Sequence, residues 1–281
     1  MIELKNDAIH AWISETGAEL RRLTLDGVDQ LWNGDAKFWT GVSPVLFPLC
    51  SGMPGNIYTL GGKEYTIGKH GFARNMEFQV VERGCRSVSL RLTDTPETLK
   101  QYPWHFALTV TFRLHGRRLD VTYTVENKTD RIMYFSEGSH EAYACPEGIE
   151  EYDVIFEKEE TVGIHEIDGV RMKSETIPML YQSRVFPLYE KYFVTDALIF
   201  NDLQSRRATL RHRPTGRAIT VDFPGCDYFL IWHKPNAPYI CLEPWCGICG
   251  TVGDGIAIEE KEGILQLGAN GTYERTHSIQ F

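Results

Sequence analysis

Apolar side chains recur with a period of two along much of the chain, glycine-bearing turns join these stretches at hairpin spacing, and a single short segment has helical character. Together these features predict an all-β fold, a large antiparallel sandwich or barrel-like pair of sheets. Leu60-Gly61-Gly62-Lys63 marks the first clear hairpin. Arg83-Gly84-Cys85-Arg86 leads into the alternating Val88, Leu90 and Leu92. The helical segment follows, Pro96 to Gln101, with Asp94 or Thr95 as its cap and proline just inside. Leu108, Val110, Phe112 and Leu114, then Val121, Tyr123 and Val125, flank His115-Gly116-Arg117-Arg118 as a second hairpin. Arg213-Pro214-Thr215-Gly216 joins Ala208-Leu210 to Ile219-Val221-Phe223 as a third. Crossover helices are missing, which excludes a wound α/β sheet. With no linker, composition break or internal repeat, the chain reads as one domain over residues 1–281.

A formal charge of -9 disfavours nucleic acid and anionic membrane surfaces as partners, since both need a basic face. The expected ligand is small and neutral, or held by a few local cations. No apolar run approaches the roughly 20 residues of a membrane span, and Met1-Ile2-Glu3-Leu4-Lys5 runs straight into strand-like sequence, so a cytoplasmic location is expected. The odd set of cysteines at 50, 85, 145, 226, 241, 246 and 249 reads as reduced thiols rather than a disulfide framework.

Glu243 is the most informative residue, one carboxylate inside the apolar and aromatic run Pro238-Tyr239-Ile240-Cys241-Leu242-Glu243-Pro244-Trp245. A carboxylate buried without a partner is costly, so it is neutralised, paired or used; desolvation raises its pKa toward the range of a general base. His70 and Arg74 share the glycine-flanked loop Lys69-His70-Gly71-Phe72-Ala73-Arg74, where a ligand site and a plain turn histidine beside a solvated arginine are both open readings. His140, in Gly138-Ser139-His140-Glu141-Ala142-Tyr143, carries an imidazole whose ordinary pKa of about 6.5 suits proton donation. Its neighbour Glu141 points to the opposite face of an extended segment and reads as a surface residue. Asp196, before the apolar Ala197-Leu198-Ile199-Phe200, can orient a histidine or bind hydroxyls, or simply cap a turn. Trp245-Cys246-Gly247-Ile248-Cys249 imitates a thiol redox motif, but that chemistry needs the first thiol at a helix N-terminus in a βαβ setting, and here the string follows a proline-containing strand. Cys241, Cys246 and Cys249 supply three thiols without a second spaced pair to close a zinc site. Metalloprotease, α/β-hydrolase and nucleotide-binding signatures are missing.

As an ordered set, Ser43-Pro44-Val45-Leu46-Phe47-Pro48, His70-Gly71-Phe72-Ala73-Arg74, Tyr102-Pro103-Trp104-His105-Phe106, Gly138-Ser139-His140-Glu141-Ala142-Tyr143, Asp196-Ala197-Leu198-Ile199-Phe200 and Leu242-Glu243-Pro244-Trp245 resemble the aldose 1-epimerase (galactose mutarotase-like) family, most closely its LacX-like branch. Lys261-Glu262-Gly263-Ile264-Leu265-Gln266-Leu267 resembles the family's C-terminal strand. The resemblance implies a β-supersandwich that interconverts the anomers of a hexose or hexose phosphate without cofactor or metal. By the same resemblance Glu243 is the general base on the anomeric hydroxyl and His140 the acid on the ring oxygen. His70 and Asp196 match substrate-holding positions. Trp245, Phe72 and Tyr143 offer aromatic surfaces to a sugar ring. Family members commonly carry a substrate-binding arginine soon after the Phe-Pro step, where this chain has Gly52; Arg74, with Lys69, is the candidate to compensate. The rival reading is a noncatalytic sugar-binding or sensor protein on the same fold, and the third, weaker one is a thiol redox protein. The protein is expected as a monomer or homodimer.

Overall fold

The computed structural model describes residues 1–248 and 250–281. A 14-stranded sheet dominates, and its ladders are antiparallel. A 4-stranded sheet, Ile2–Lys5, Ile9–Ile13, Leu20–Leu25 and Val28–Asp29, precedes it in the chain, and Ile57–Leu60 with Lys63–Thr66 and Met133–Phe135 with Leu265–Leu267 form two small pairs. The predicted all-β class is therefore the observed one.

The local reasons match the sequence patterns. Phe106–His115 and Arg118–Asn127 close through Gly116-Arg117, and the second strand alternates strictly between half-buried and buried positions. The helix spans Pro96–Gln101, and Thr95 rather than Asp94 caps it: the Thr98 N–H donates to Thr95 Oγ1 at 3.2 Å while the Thr95 N–H donates to Thr98 Oγ1 at 2.8 Å. The main core gathers Phe47, Tyr102, Trp104 and Phe106, each at most 1% exposed. Each such ring contributes on the order of 1.5–3 kcal/mol by leaving water.

One large element has no counterpart in the sequence patterns: the hairpin of Tyr152–Asp168 and Arg171–Pro187, 17 residues a strand. Its register shifts at several points between Ile155 and Ile167, so the two-residue period is broken. Near its tip, Ile167 and Met172 pack with Ile199, Leu230 and Trp245.

Three neighbouring strands position the site: Leu198–Phe200, Tyr228–Trp232 and Tyr239–Cys246. Leu198, Phe200, Phe229, Ile231, Ile240, Leu242 and Cys246 face the main core. Ile199, Tyr228, Leu230, Tyr239, Cys241 and Trp245 pack on the opposite face, in two smaller clusters. The pleat puts Glu243 on this second face, with Cys241 and Trp245.

The loop that bears His70 rests on Gly71, whose φ is +68° and whose missing Cβ would lie 2.2 Å from the Phe47 carbonyl oxygen. That oxygen also accepts from the Phe72 and Ala73 N–H groups, each at 3.1 Å. Gly71→Ala is accordingly expected to destabilise the protein by about 1–3 kcal/mol, from strain and displaced backbone together. A urea midpoint unchanged from wild type would contradict this.

Candidate active site

Two short strands, Glu137–Gly138 and Glu141–Ala144, pair with Tyr239–Cys246 in one continuous register: Gly138 opposite Trp245, Glu141 opposite Leu242. His140 therefore stands across from Glu243. The ladder is interrupted between them because Pro244 has no N–H; the Ser139 N–H donates to the Pro244 carbonyl at 3.2 Å, but the return bond cannot form. Alternation along the ladder makes His140 and Glu243 a non-hydrogen-bonded pair, the kind whose side chains approach most closely. His140 Nε2 lies 3.4 Å from Glu243 Oε2. Gly138 serves the same strand edge: a Cβ there would be 2.6 Å from Trp245 Cδ1, so only glycine lets the indole lie across it. The Trp245 Nε1–H then donates to the Ser139 carbonyl at 3.1 Å.

A cavity of about 360 Å³ opens over this pair, within the usual range of about 300–1,000 Å³ for small-molecule sites. All five residues singled out from the sequence, His70, Arg74, His140, Asp196 and Glu243, line it, with Lys69 and Trp245. A second groove of about 420 Å³ near Trp32 and Pro238 has Arg22 and Asp29 as an exposed pair bonded to each other, which leaves it chemically quieter.

His70 is held from both sides of its residue: its N–H donates to the Ser51 carbonyl at 2.6 Å, and its Nδ1 accepts from the Ser51 N–H at 3.1 Å. An Nδ1 that accepts carries no proton, so the ring is the neutral tautomer with Nε2–H as its free donor. Burial, reinforced by His140, Lys69 and Arg74, pushes its pKa well below the ordinary value, which agrees with that tautomer. Arg74 Nη2 donates to the Lys69 backbone carbonyl at 2.9 Å, which ties the two ends of the loop together. Asp196 turns Oδ1 back onto the Ala197 N–H at 2.9 Å at the start of its strand.

The central pair is electrostatically unusual. Glu243 is 1% exposed, and neither carboxyl oxygen has a hydrogen-bond partner among the described residues. Burial raises its pKa well above the ordinary carboxyl value; Asp196 and Glu141 add to this, while Lys69 and the Trp245 indole oppose it. Burial lowers the His140 pKa to about 3, against the pull of its own backbone and of Glu141. Both shifts run in the direction that favours the uncharged form of each group.

Aromatic side chains wall the pocket, but only one of the three expected is among them. Trp245 lines it, whereas Phe72 and Tyr143 are 7% and 0% exposed and belong to the main core. In their place stand Trp39, whose ring centroid is 5.0 Å from that of His140, and Trp232, at 5.6 Å. Composition offered no signal for these two, because isolated tryptophans read as core. Glu141 departs from its expected surface position: it is 3% exposed on the core face and accepts from His277 Nε2 at 2.9 Å. Gly52 sits beside the hairpin tip; a Cβ there would lie 3.2 Å from Val170 Cγ1 and 3.6 Å from Lys69 Cβ. Val170 thus fills the space next to the position where an arginine was expected. The redox string begins on a strand, with the Cys246 thiol on the core side and 3.5 Å from Cys226 Sγ; Cys249 lies outside the described residues.

Known proteins resemble this chain along nearly its whole length. The sequence pattern of the aldose 1-epimerase family matches residues 1–276. The chromosomal protein LacX of Lactococcus lactis subsp. lactis is 29% identical over 293 residues, covering 99% of this chain and 98% of the relative. Among solved structures, a galactose mutarotase related enzyme from Lactobacillus acidophilus superposes with a TM-score of 0.95 at 26% identity, over 99% of this chain and 96% of the other. A galactose mutarotase-like protein from Lactobacillus casei gives a TM-score of 0.93 at 28% identity, over 100% and 99%.

Proposed function

Because the chain belongs to the aldose 1-epimerase family, we propose that it interconverts the α and β anomers of an aldohexose or its phosphate by acid–base ring opening, with Glu243 and His140 as the reacting pair. The observation that carries this reading is the 3.4 Å approach of a buried carboxyl and an imidazole side by side in the lining of a sugar-sized cavity.

Glu243 takes the proton of the anomeric hydroxyl, His140 delivers one to the ring oxygen, and the bond between C1 and that oxygen breaks. The open aldehyde turns about C1–C2 and recloses with the roles reversed. An uncharged carboxyl with an uncharged imidazole holds the same single proton as a carboxylate with an imidazolium. One transfer from Oε2 to Nε2 therefore arms the pair without any proton from solvent. His70 Nε2–H donates to a sugar oxygen, Asp196 accepts from a hydroxyl, and Lys69 and Arg74 offer cations at the rim to hydroxyls or a phosphate.

Trp39 and Trp232 supply apolar faces for the ring's C–H groups. Trp39→Ala is expected to weaken sugar binding roughly two- to tenfold, equivalent to about 0.5–1.5 kcal/mol. Isothermal titration with the preferred sugar measures it; an unchanged Kd removes Trp39 from the binding surface.

NMR exchange spectroscopy or polarimetry on a panel of free and phosphorylated hexoses tests the activity. Acceleration of anomer exchange for at least one sugar is the expected result. The second reading, sugar binding without turnover, is favoured by Gly52 and the Val170 side chain beside it. Binding with no acceleration of any sugar would establish it in place of the first.

A further inference from the structure

We propose that the floor of the pocket is also a binding site for a borderline divalent metal such as Zn2+, formed by Cys241, His140 and Glu243, and that the bound metal silences the reacting pair. The binding half stands on the coordination geometry alone; the silencing half rests on the reading of Glu243 and His140 given above.

Strand alternation puts the Cys241 thiol on the same face as the Glu243 carboxyl, one pleat away, and the register across the ladder brings His140 to the same spot. One donor atom from each of the three lies within 4.8 Å of the other two. A tetrahedral zinc with sulfur, nitrogen and oxygen at ordinary bond lengths needs its ligands about 3.3–3.7 Å apart. The imidazole and carboxyl are already at 3.4 Å, so the approach still needed is that of the thiol, which lies within 4.8 Å of both.

A second observation points to a ligand here. Both oxygens of Glu243, which is 1% exposed, lack hydrogen-bond partners among the described residues. Buried polar atoms in that condition are rare and costly, and a cation satisfies them at once. The plain alternative is that Cys241 is a small apolar filler, since it packs with Trp32, Ala142 and Tyr239. Packing alone does not account for its convergence with a partnerless carboxyl and the imidazole across from it. His140 and Glu243 line the cavity, so water or a sugar hydroxyl can reach a metal held between them. Thiolate with imidazole selects Zn2+ or Co2+ over Mg2+ and Ca2+, which require all-oxygen sets. Binding deprotonates the thiol and engages both the oxygen and the nitrogen that would move protons.

Titration of the reduced full-length protein with cobalt(II) chloride, followed by absorption, tests the site. Wild type and Cys85→Ser, which removes an exposed thiol, are expected to show a thiolate-to-cobalt charge-transfer band with tetrahedral visible bands at one equivalent. Zinc should displace the cobalt and magnesium should not. Cys241→Ser should lose the thiolate band, and Cys241→Ala serves as a second variant should the serine protein fold poorly. In anomer exchange, zinc should inhibit wild type reversibly to EDTA, with an apparent inhibition constant at least about tenfold weaker in Cys241→Ser relative to its own metal-free rate. A thiolate band that survives in both Cys241 variants, or is missing from wild type, overturns the metal site. Cobalt binding that leaves turnover intact overturns the silencing. If wild type accelerates no sugar, the proposed function fails, and the cobalt spectra still decide the site.

Discussion

Glu243→Gln is expected to slow anomer exchange by about 10²–10⁴-fold, the usual contribution of a positioned general base, and His140→Asn to do the same from the acid side. The same glutamine should make the protein more stable at alkaline pH. Glu243 has a folded pKa raised by burial above that of the unfolded chain. Below the unfolded value both states hold the proton, and the group's contribution is fully present. As pH rises toward and through the folded value, the unfolded chain releases its proton first, and stability is lost. Wild type and Glu243→Gln should thus have similar Tm values in acid and diverge with rising pH, the variant higher. His140 has the opposite sign: its folded pKa of about 3 lies below its ordinary 6.5, so its contribution is present above 6.5 and lost as pH falls through that window. Calorimetric Tm profiles of the two variants would separate these slopes. A glutamine variant with wild-type exchange rates would take Glu243 out of the reaction.

Arg275→Met is expected to cost about 3–5 kcal/mol of folding stability, because it strands Glu137 as a buried charge. The two side chains are 3% and 0% exposed, with Arg275 Nε and Nη2 donating to the two Glu137 oxygens and the Tyr273 hydroxyl donating to Oε1 at 3.0 Å. The loss should reach the site as well. Glu137 begins the short strand Glu137–Gly138, just ahead of His140, and Glu141, just beyond, is held by His277 of Thr272–Gln280, the strand that also carries Arg275. Two buried polar links therefore brace His140 from behind. Adding Glu137→Gln to Arg275→Met should recover part of the stability, since a neutral amide replaces the stranded charge. Urea unfolding of the single and double variants measures both effects, and a single variant within 1 kcal/mol of wild type would refute the stranded-charge argument.

What the sequence reveals follows the range of the forces involved. The Gly116 turn and the Thr95 cap are legible because their determinants lie within a few residues. The Tyr152–Asp168 and Arg171–Pro187 hairpin is not, since bulges break its period and charged positions such as Glu157, Lys158 and Glu159 interrupt its apolar pattern. Glu243 stands out by composition alone. Its pairing with His140 depends on a register between segments a hundred residues apart, and only the family resemblance brought the two together in advance. The aromatic walls show the same limit. Tyr143 and Trp245 are both large rings on adjacent strands, but Tyr143 stands opposite Ile240 on the core face and Trp245 opposite Gly138 on the pocket face. Pleat phase, which composition does not encode, decides between them.

Pro244 has a consequence for how this region tolerates change. The carbonyl of Ser139 is available to the Trp245 indole because the residue across from it has nothing to donate. Any other amino acid at 244 would bring a backbone N–H into competition for that acceptor and loosen the tryptophan beside it. Glu243, Pro244 and Trp245 thus behave as one heritable unit, in which the middle residue acts on the pocket through a bond it does not make.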